Sequence, residues 1–303
     1  MPRRIRSTKR SLFRRGMLAA IFVSLMLNPG NADDQSMPEN FRRENLVAWC
    51  VVPFDAKQRG PDERAKMLAD LGLKRCAYDW RERHVAEFED EVDAYDRNGI
   101  EYVSFWGQHP KAYEMFESRG MKPDIWMMFG SPETGNQSER VEQAVAGLLP
   151  LVKKTRSMGC RLGLYNHGGW SGEPENLVSI CASFHARGFD HVGIVYNFHH
   201  SHHRIKEFKD DIDLMMPHLH CINLNGMLDL SAFSSSQDKK QHKIRPIGGG
   251  DFEAEMIDDI IASGYNGPIG ILGHVNDRDV AEVLQENLEG LSNLLHQRKQ
   301  LER

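Results

Sequence analysis

Fourteen histidines are spread through the 303-residue chain, and several stand where a catalytic group would. His167 follows the apolar run Leu162–Tyr165 and precedes Gly168 and Gly169. Asn197, His199, His200, His202 and His203 crowd one short stretch, and His274 follows Gly273. Imidazole titrates near neutrality, so His167, His200 and His274 form a plausible set for removing and returning a proton. Asn166, Asn197, Asn223 and Asn225 supply amides that hydrogen-bond hydroxyl groups, and Asp79 and Asp251 are carboxylates able to orient a histidine. Trp106 and Trp170 offer ring faces suited to the apolar side of a sugar. The expected ligand is therefore a small, hydroxyl-rich carbohydrate. Each residue also has a plainer reading: the asparagines as strand-end caps, the tryptophans as packing, and His199, His202 and His203 as a solvated loop. The cofactor question is open: imidazoles can hold Zn²⁺ or another divalent cation, with His199, His200 and His274 as candidates, but no tight ligand spacing compels it.

Such residues need a frame, and the chain supplies a repeating one. Short apolar runs occur at 46–52, 74–78, 101–106, 125–129, 161–165, 191–196, 220–224 and 268–272. Most are too apolar for half-exposed strands and suit a parallel sheet covered by helices. Helix-length amphipathic stretches lie between them; Pro61–Leu71 opens on Pro-Asp-Glu, a good first turn. Gly72, Gly99, Gly120, Gly159, Gly188 and Gly264 each fall where a left-handed residue would end a helix. Eight strand–helix units read as a single-domain (β/α)8 TIM barrel over residues 45–297, with the candidate residues at the carboxyl ends of its strands. An open doubly wound sheet is the alternative, but no GxGxxG follows the first strand. The glycines of Ile247–Asp251 read as a turn into a helix, and Leu228–Lys243 as an exposed loop. His191 and His220 open strands and belong to the opposite face.

Residues 1–15 carry seven Arg or Lys and no acid, and an apolar stretch Met17–Leu27 follows. Gly30 and Ala32 precede a plausible cut before Asp33, so residues 1–32 read as an export signal. Arg14-Arg15 resembles a twin-arginine signal. Eleven apolar residues fall short of the roughly 20 that span a bilayer. Residues 33–44 read as a flexible leader and 298–303 as a charged tail. An exported protein, periplasmic or extracellular, without stable membrane insertion is expected. Net charge is −5, so there is no global basic field of the kind that drives nucleic-acid binding. Cys50, Cys76, Cys160, Cys181 and Cys221 are odd in number and contain no CxxC; they read as small buried side chains.

The segments LGLYNHGG (162–169), VGIVYNFHH (192–200), INLNG (222–226), IGGGDF (247–252) and GYNGPIGILGH (264–274) resemble the sugar phosphate isomerase/epimerase group of the xylose isomerase-like barrel superfamily. The resemblance implies a (β/α)8 fold, a pocket for a sugar or polyol, and a divalent metal held by Glu, Asp, His and Glu from strands five to eight. It also implies that the two glutamates move protons beside a carbonyl. The corresponding positions here are Tyr165, Asn197, Asn223 and Gly273, and only His200 of the D-x-x-H motif remains. Magnesium and manganese prefer carboxylate oxygens, so an altered or absent metal site is expected. The expected activity is isomerisation, epimerisation or β-elimination by histidine. A carbohydrate-binding protein that has lost catalysis is the alternative from another class. A DNA-repair nuclease of the same superfamily would need a metal cluster of carboxylates and histidines.

Overall fold

In a computed structural model, the structure describes residue 1 and residues 37–301. The expected export signal lies outside the described residues. Eight parallel strands close a barrel in sequence order. They are β1 (Val47–Trp49), β2 (Arg75–Tyr78), β3 (Glu101–Trp106), β4 (Asp124–Met127), β5 (Leu162–Tyr165), β6 (Val192–Asn197), β7 (Leu219–Leu224) and β8 (Ile269–Leu272). β8 pairs with β1 through Val47 and Gly270, which completes the cylinder. Every apolar run read from the sequence contributes a strand, and the fold is a (β/α)8 barrel.

Nine helices lie among the described residues: α1 (Pro61–Asp70), α2 (Phe88–Asn98), α3 (Pro110–Arg119), α4 (Gln137–Met158), α5 (Pro174–Ala186), α6 (Phe208–Met215), α7 (Ser236–His242), α8 (Glu253–Ala262) and α9 (Val280–Leu301). Proline opens α1, α3 and α5, where its missing N–H costs nothing. Asn136 and Glu139 cap α4 reciprocally, each side chain accepting from the other's backbone N–H, at 3.1 and 2.8 Å. Gly99, Gly120 and Gly159 end their helices in the left-handed region, as the sequence pattern predicts.

Two apolar layers follow from the alternation along the strands. One lies between sheet and helices. The other fills the barrel, where Val47, Trp49, Trp126, Tyr165, Val195 and Leu272 pack together. Trp49 and Trp126 meet edge to face at 5.0 Å, and Trp49 donates from Nε1 to the Tyr165 hydroxyl at 3.1 Å. These aromatic rings form the floor beneath the strand ends. All five cysteines are buried and free.

Both ends of the described segment 37–301 depart from the sequence reading. Residues 37–44, taken with the leader as flexible, instead pack against the barrel: Phe41 is buried, and the Asn40 amide donates to the carbonyls of Tyr265 and Gly267, both at 3.1 Å. The charged tail expected from 298 is helical through Leu301, as a continuation of α9, whose buried apolar stripe runs to Leu295. Residues 228–243 are not simply an exposed loop either. They include α7 and fold back over the strand ends, and an antiparallel bridge between Gly226 and Arg245 pins their base. No described helix is long and apolar enough to cross a membrane.

Candidate active site

A cavity of about 1010 Å³ opens at the carboxyl ends of the strands. Trp49, Trp106 and Tyr165 line its floor; His167, His200 and His274 line its wall; Gln237, Lys240 and Lys243 from the folded-back segment lie over it. The sequence signal for this cover was the basic run Lys239–Lys243 after β7, since loops at that end of a barrel are where ligand contacts arise.

The three predicted histidines share this one cavity, although they come from β5, β6 and β8. His167 and His200 have ring centroids 4.4 Å apart. His199 adjoins His200 at 3.9 Å and reaches toward His274 at 6.1 Å, so the rings form an arc. Phe54 stacks on His274 at 3.7 Å. Burial disfavours the imidazolium form. It pushes His200 down to about 2 and His274 to about 4, lowers His167, and holds His199 well below the ordinary value. The nearby Lys243 charge adds to the effect at all four. At neutral pH these rings are neutral, so each offers one unprotonated nitrogen, and burial weakens its basicity most where the lowering is deepest.

Asp79 has the opposite character. The chain turns left-handed at Cys50 (φ 56°), a conformation that costs energy in a residue with a side chain. The consequence is that the successive N–H groups of Val51 and Val52 both donate to Asp79 Oδ1, each at 3.1 Å. Oδ2 has no partner among the described residues, and Asp79 is only 2% exposed on the cavity wall. Burial raises the carboxyl to about 7, against the lowering effect of those two N–H groups and of Arg81. Near neutrality it is a proton donor and acceptor in comparable measure.

The structure does not bring every predicted residue to the cavity. Asn166, Asn197 and Asn223 are buried and bonded to one another beneath it, and none lines the cavity wall. Asn225 is also buried, donating to the Gly226 carbonyl at 2.8 Å. Their placement at strand ends was right, but the inward-pointing amides satisfy each other. Asp251 is exposed outside the cavity, on the glycine-rich turn. That turn is organised by buried Glu253, whose carboxylate accepts from the N–H groups of Met227, Gly248 and Gly250. Trp170 lies away from the cavity, donating to Gln137 at 3.0 Å with Arg140 over its ring. Trp106 does line the cavity, edge to face with Tyr165 at 4.8 Å. Lys243, Arg81 and Tyr165 line it too and were not among the predicted site residues.

The residues present do not fit the divalent metal implied by the family resemblance. Among the described residues no group of three or more His, Cys, Asp or Glu side chains is placed to hold a metal ion. Asn197 and Asn223 spend their amides on neighbours, and a side chain at position 273 would meet Val280 at 2.5 Å and the Cys50 carbonyl at 2.9 Å. His199, His200 and His274 do not form a ligand set either. The cation beside His200 belongs to the chain itself: Lys243 Nζ lies 3.4 Å from His200 Nδ1.

No protein-family model matches the sequence, and no curated protein does. Solved structures do match. The 3-keto-D-glucoside 4-epimerase YcjR of Escherichia coli aligns over 82% of this chain and 98% of its own, at 13% identity and a TM-score of 0.59. D-psicose 3-epimerase of Clostridium cellulolyticum, solved with D-tagatose, aligns over the same shares at 11% identity and 0.54. A xylose isomerase-like TIM barrel protein of Mycobacterium smegmatis, solved with magnesium, covers 82% of this chain and 97% of its own at 14% identity and 0.51. The chain thus has the fold of the xylose isomerase-like TIM barrels.

Proposed function

We propose that this protein is an exported sugar isomerase or epimerase that transfers a proton beside a carbonyl without a metal. The single observation that carries the reading is the shared cavity of His167, His200 and Asp79, which places neutral imidazoles and a carboxyl raised to about 7 around one space. The neutral His167 imidazole, with the His200 ring 4.4 Å away, removes the proton from the carbon next to the sugar carbonyl. Asp79 gives its proton to the carbonyl oxygen, which yields an enediol. Returning the proton to the former carbonyl carbon, while the neighbouring hydroxyl gives its proton to the Asp79 carboxylate, gives isomerisation; returning a proton to the opposite face of the same carbon, while the enol oxygen gives its proton back to Asp79, gives epimerisation. Trp106 and Tyr165 supply the apolar floor for the ring. Support comes from the fold shared with sugar epimerases and from the cavity at the strand ends.

The test is solvent exchange. Aldoses, ketoses and keto-glycosides are incubated with the protein in D₂O with and without EDTA, and deuterium beside the carbonyl is read by NMR. Exchange that survives chelation and drops by roughly 10²-fold or more in His200→Ala and His167→Ala supports the scheme. Full turnover in both variants sinks it. The replacement of all four family ligand positions by Tyr165, Asn197, Asn223 and Gly273 favours a second reading, a sugar-binding protein without catalysis. Thermal stabilisation by a sugar with no exchange is its signature.

A further inference from the structure

The charges around the cavity are unbalanced in a chain whose net charge is −5. Arg81, Lys240 and Lys243 all line it, and among the described residues none has a carboxylate within ion-pair distance. Against them stand Asp79, whose burial favours the neutral carboxyl, and Asp277, exposed at the rim and also unpaired among the described residues. Two of the cations stand against the imidazole arc. Lys243 adjoins His200, while the Arg81 guanidinium stands 5.6 Å above the Phe54 ring that itself stacks on His274. Lys243 is half-buried, and burial lowers its basicity. A partly desolvated ammonium packed among neutral rings is unfavourable until an anion joins it. Neutral imidazoles accept or donate hydrogen bonds but cannot supply that charge.

We infer that the ligand of this cavity carries an anionic group, a carboxylate or a phosphate, recognised by Lys243 with Lys240 and Arg81. The inference deepens the proposed function and rests on the same cavity being the sugar site. Charge-assisted hydrogen bonds to such a group are the stronger kind, and a closed cover carrying two of the cations would strengthen them further. The anion also keeps the ammonium protonated, so binding preserves the charge placed next to His200.

Titration calorimetry with matched pairs tests this: glucuronate and galacturonate, glucose 6-phosphate, and their neutral parents glucose and galactose, with inorganic phosphate alone. The expected result is at least tenfold tighter binding of an acidic member than of its neutral parent, weakening as NaCl rises from 20 to 200 mM. The carboxylate and phosphate arms identify the source of the charge. Lys243→Met abolishes the preference and Lys243→Arg retains most of it, which separates loss of charge from misfolding. Equal or weaker binding of every acid, or an unchanged preference in Lys243→Met, overturns the inference. Deuterium exchange on neutral sugars without acid preference would sink this inference and leave the proposed reaction standing; acid preference without exchange would do the reverse.

Discussion

Asn223 donates from its side-chain amide to Oδ1 of Asn197 at 2.7 Å, with both residues fully buried inside the barrel. Asn197 passes the pattern on to Asn166 Oδ1 at 2.8 Å, and Asn166 donates to the Ser201 hydroxyl at 2.8 Å. Gly270 makes room for the first link, since a Cβ there would lie 1.8 Å from Asn223 Oδ1. In the family pattern these two asparagine positions carry an Asp and a His toward a cation. Here they form a neutral chain of amides that has no need of one.

Asn197→Asp is therefore expected to destabilise rather than to recreate a metal ligand. It removes the side-chain donor to Asn166, leaving only the Asn197 backbone N–H there, and buries a carboxylate with no cation, at a cost of roughly 3–5 kcal/mol at pH 7. The new acid would be held above its ordinary pKa in the fold. Folded protein then binds more protons than unfolded chain, so stability falls as pH rises from about 4 upward. Urea denaturation at pH 5 and pH 8 measures it. A variant as stable as the parent at pH 8 would show that the amides are not coupled.

Asp79 gives a second titration with the same sign. Its folded value of about 7 exceeds the unfolded value of 3.8, so at this group stability is present below about pH 4 and lost as pH rises to about 7. Asp79→Asn keeps an oxygen for the Val51 and Val52 N–H groups and cannot ionise. It is expected to gain about 1–3 kcal/mol over the parent at pH 8, and none at pH 4. The same variant should lose proton exchange, because it has no acid to give. Equal pH dependence of parent and variant would contradict the buried-carboxyl description.

The barrel was legible because its signals are local: eight apolar runs, and glycines that take positive φ at 72, 99, 120, 159, 188 and 264. The histidines were legible because they sit directly after strands. The asparagines misled for a physical reason. Val195 faces the barrel interior, so Asn197 two residues on faces inward as well, where its amide is taken up by Asn166 and Asn223 rather than left to a ligand. Lys243 escaped notice because the basic run Lys239–Lys243 marks a cationic loop without showing that residues 228–243 fold back over the cavity. Asp79 was visible as a residue, but its chemistry depends on a left-handed turn at Cys50, 29 positions earlier.

The buried imidazoles predict acid sensitivity. His200 falls to about 2 in the fold against an ordinary 6.5, so its neutral form contributes stability that is present above pH 6.5 and lost as pH drops below it. His274, at about 4, works in the same direction and opposes Asp79 over the same range. His200→Gln removes one such ring while keeping its polarity. Between pH 7 and pH 4.5 the variant should lose roughly 2 kcal/mol less than the parent, with the partial exposure of the ring already discounted. Guanidinium denaturation at the two pH values checks this, and parallel losses would mean that the ring is solvated.

His202 holds the cover over the cavity. Its Nδ1 lies 2.9 Å from the Leu228 carbonyl and its Nε2 lies 2.7 Å from the Lys243 carbonyl, so one ring spans the two ends of the folded-back segment. Burial lowers its pKa, and the neutral ring donates to one of the two carbonyls. His202→Phe keeps the ring volume and removes both polar contacts. Because the segment opens locally, the melting temperature should move little while the cover opens more often. Trypsin cleavage after Lys239 and Lys240 is the readout, expected to be roughly tenfold faster in the variant, a change of about 1.4 kcal/mol in the opening equilibrium. Lys243→Met should leave this cleavage nearly unchanged, because its backbone carbonyl remains. Cleavage at the parent rate in His202→Phe would show that the Gly226–Arg245 bridge alone holds the cover down.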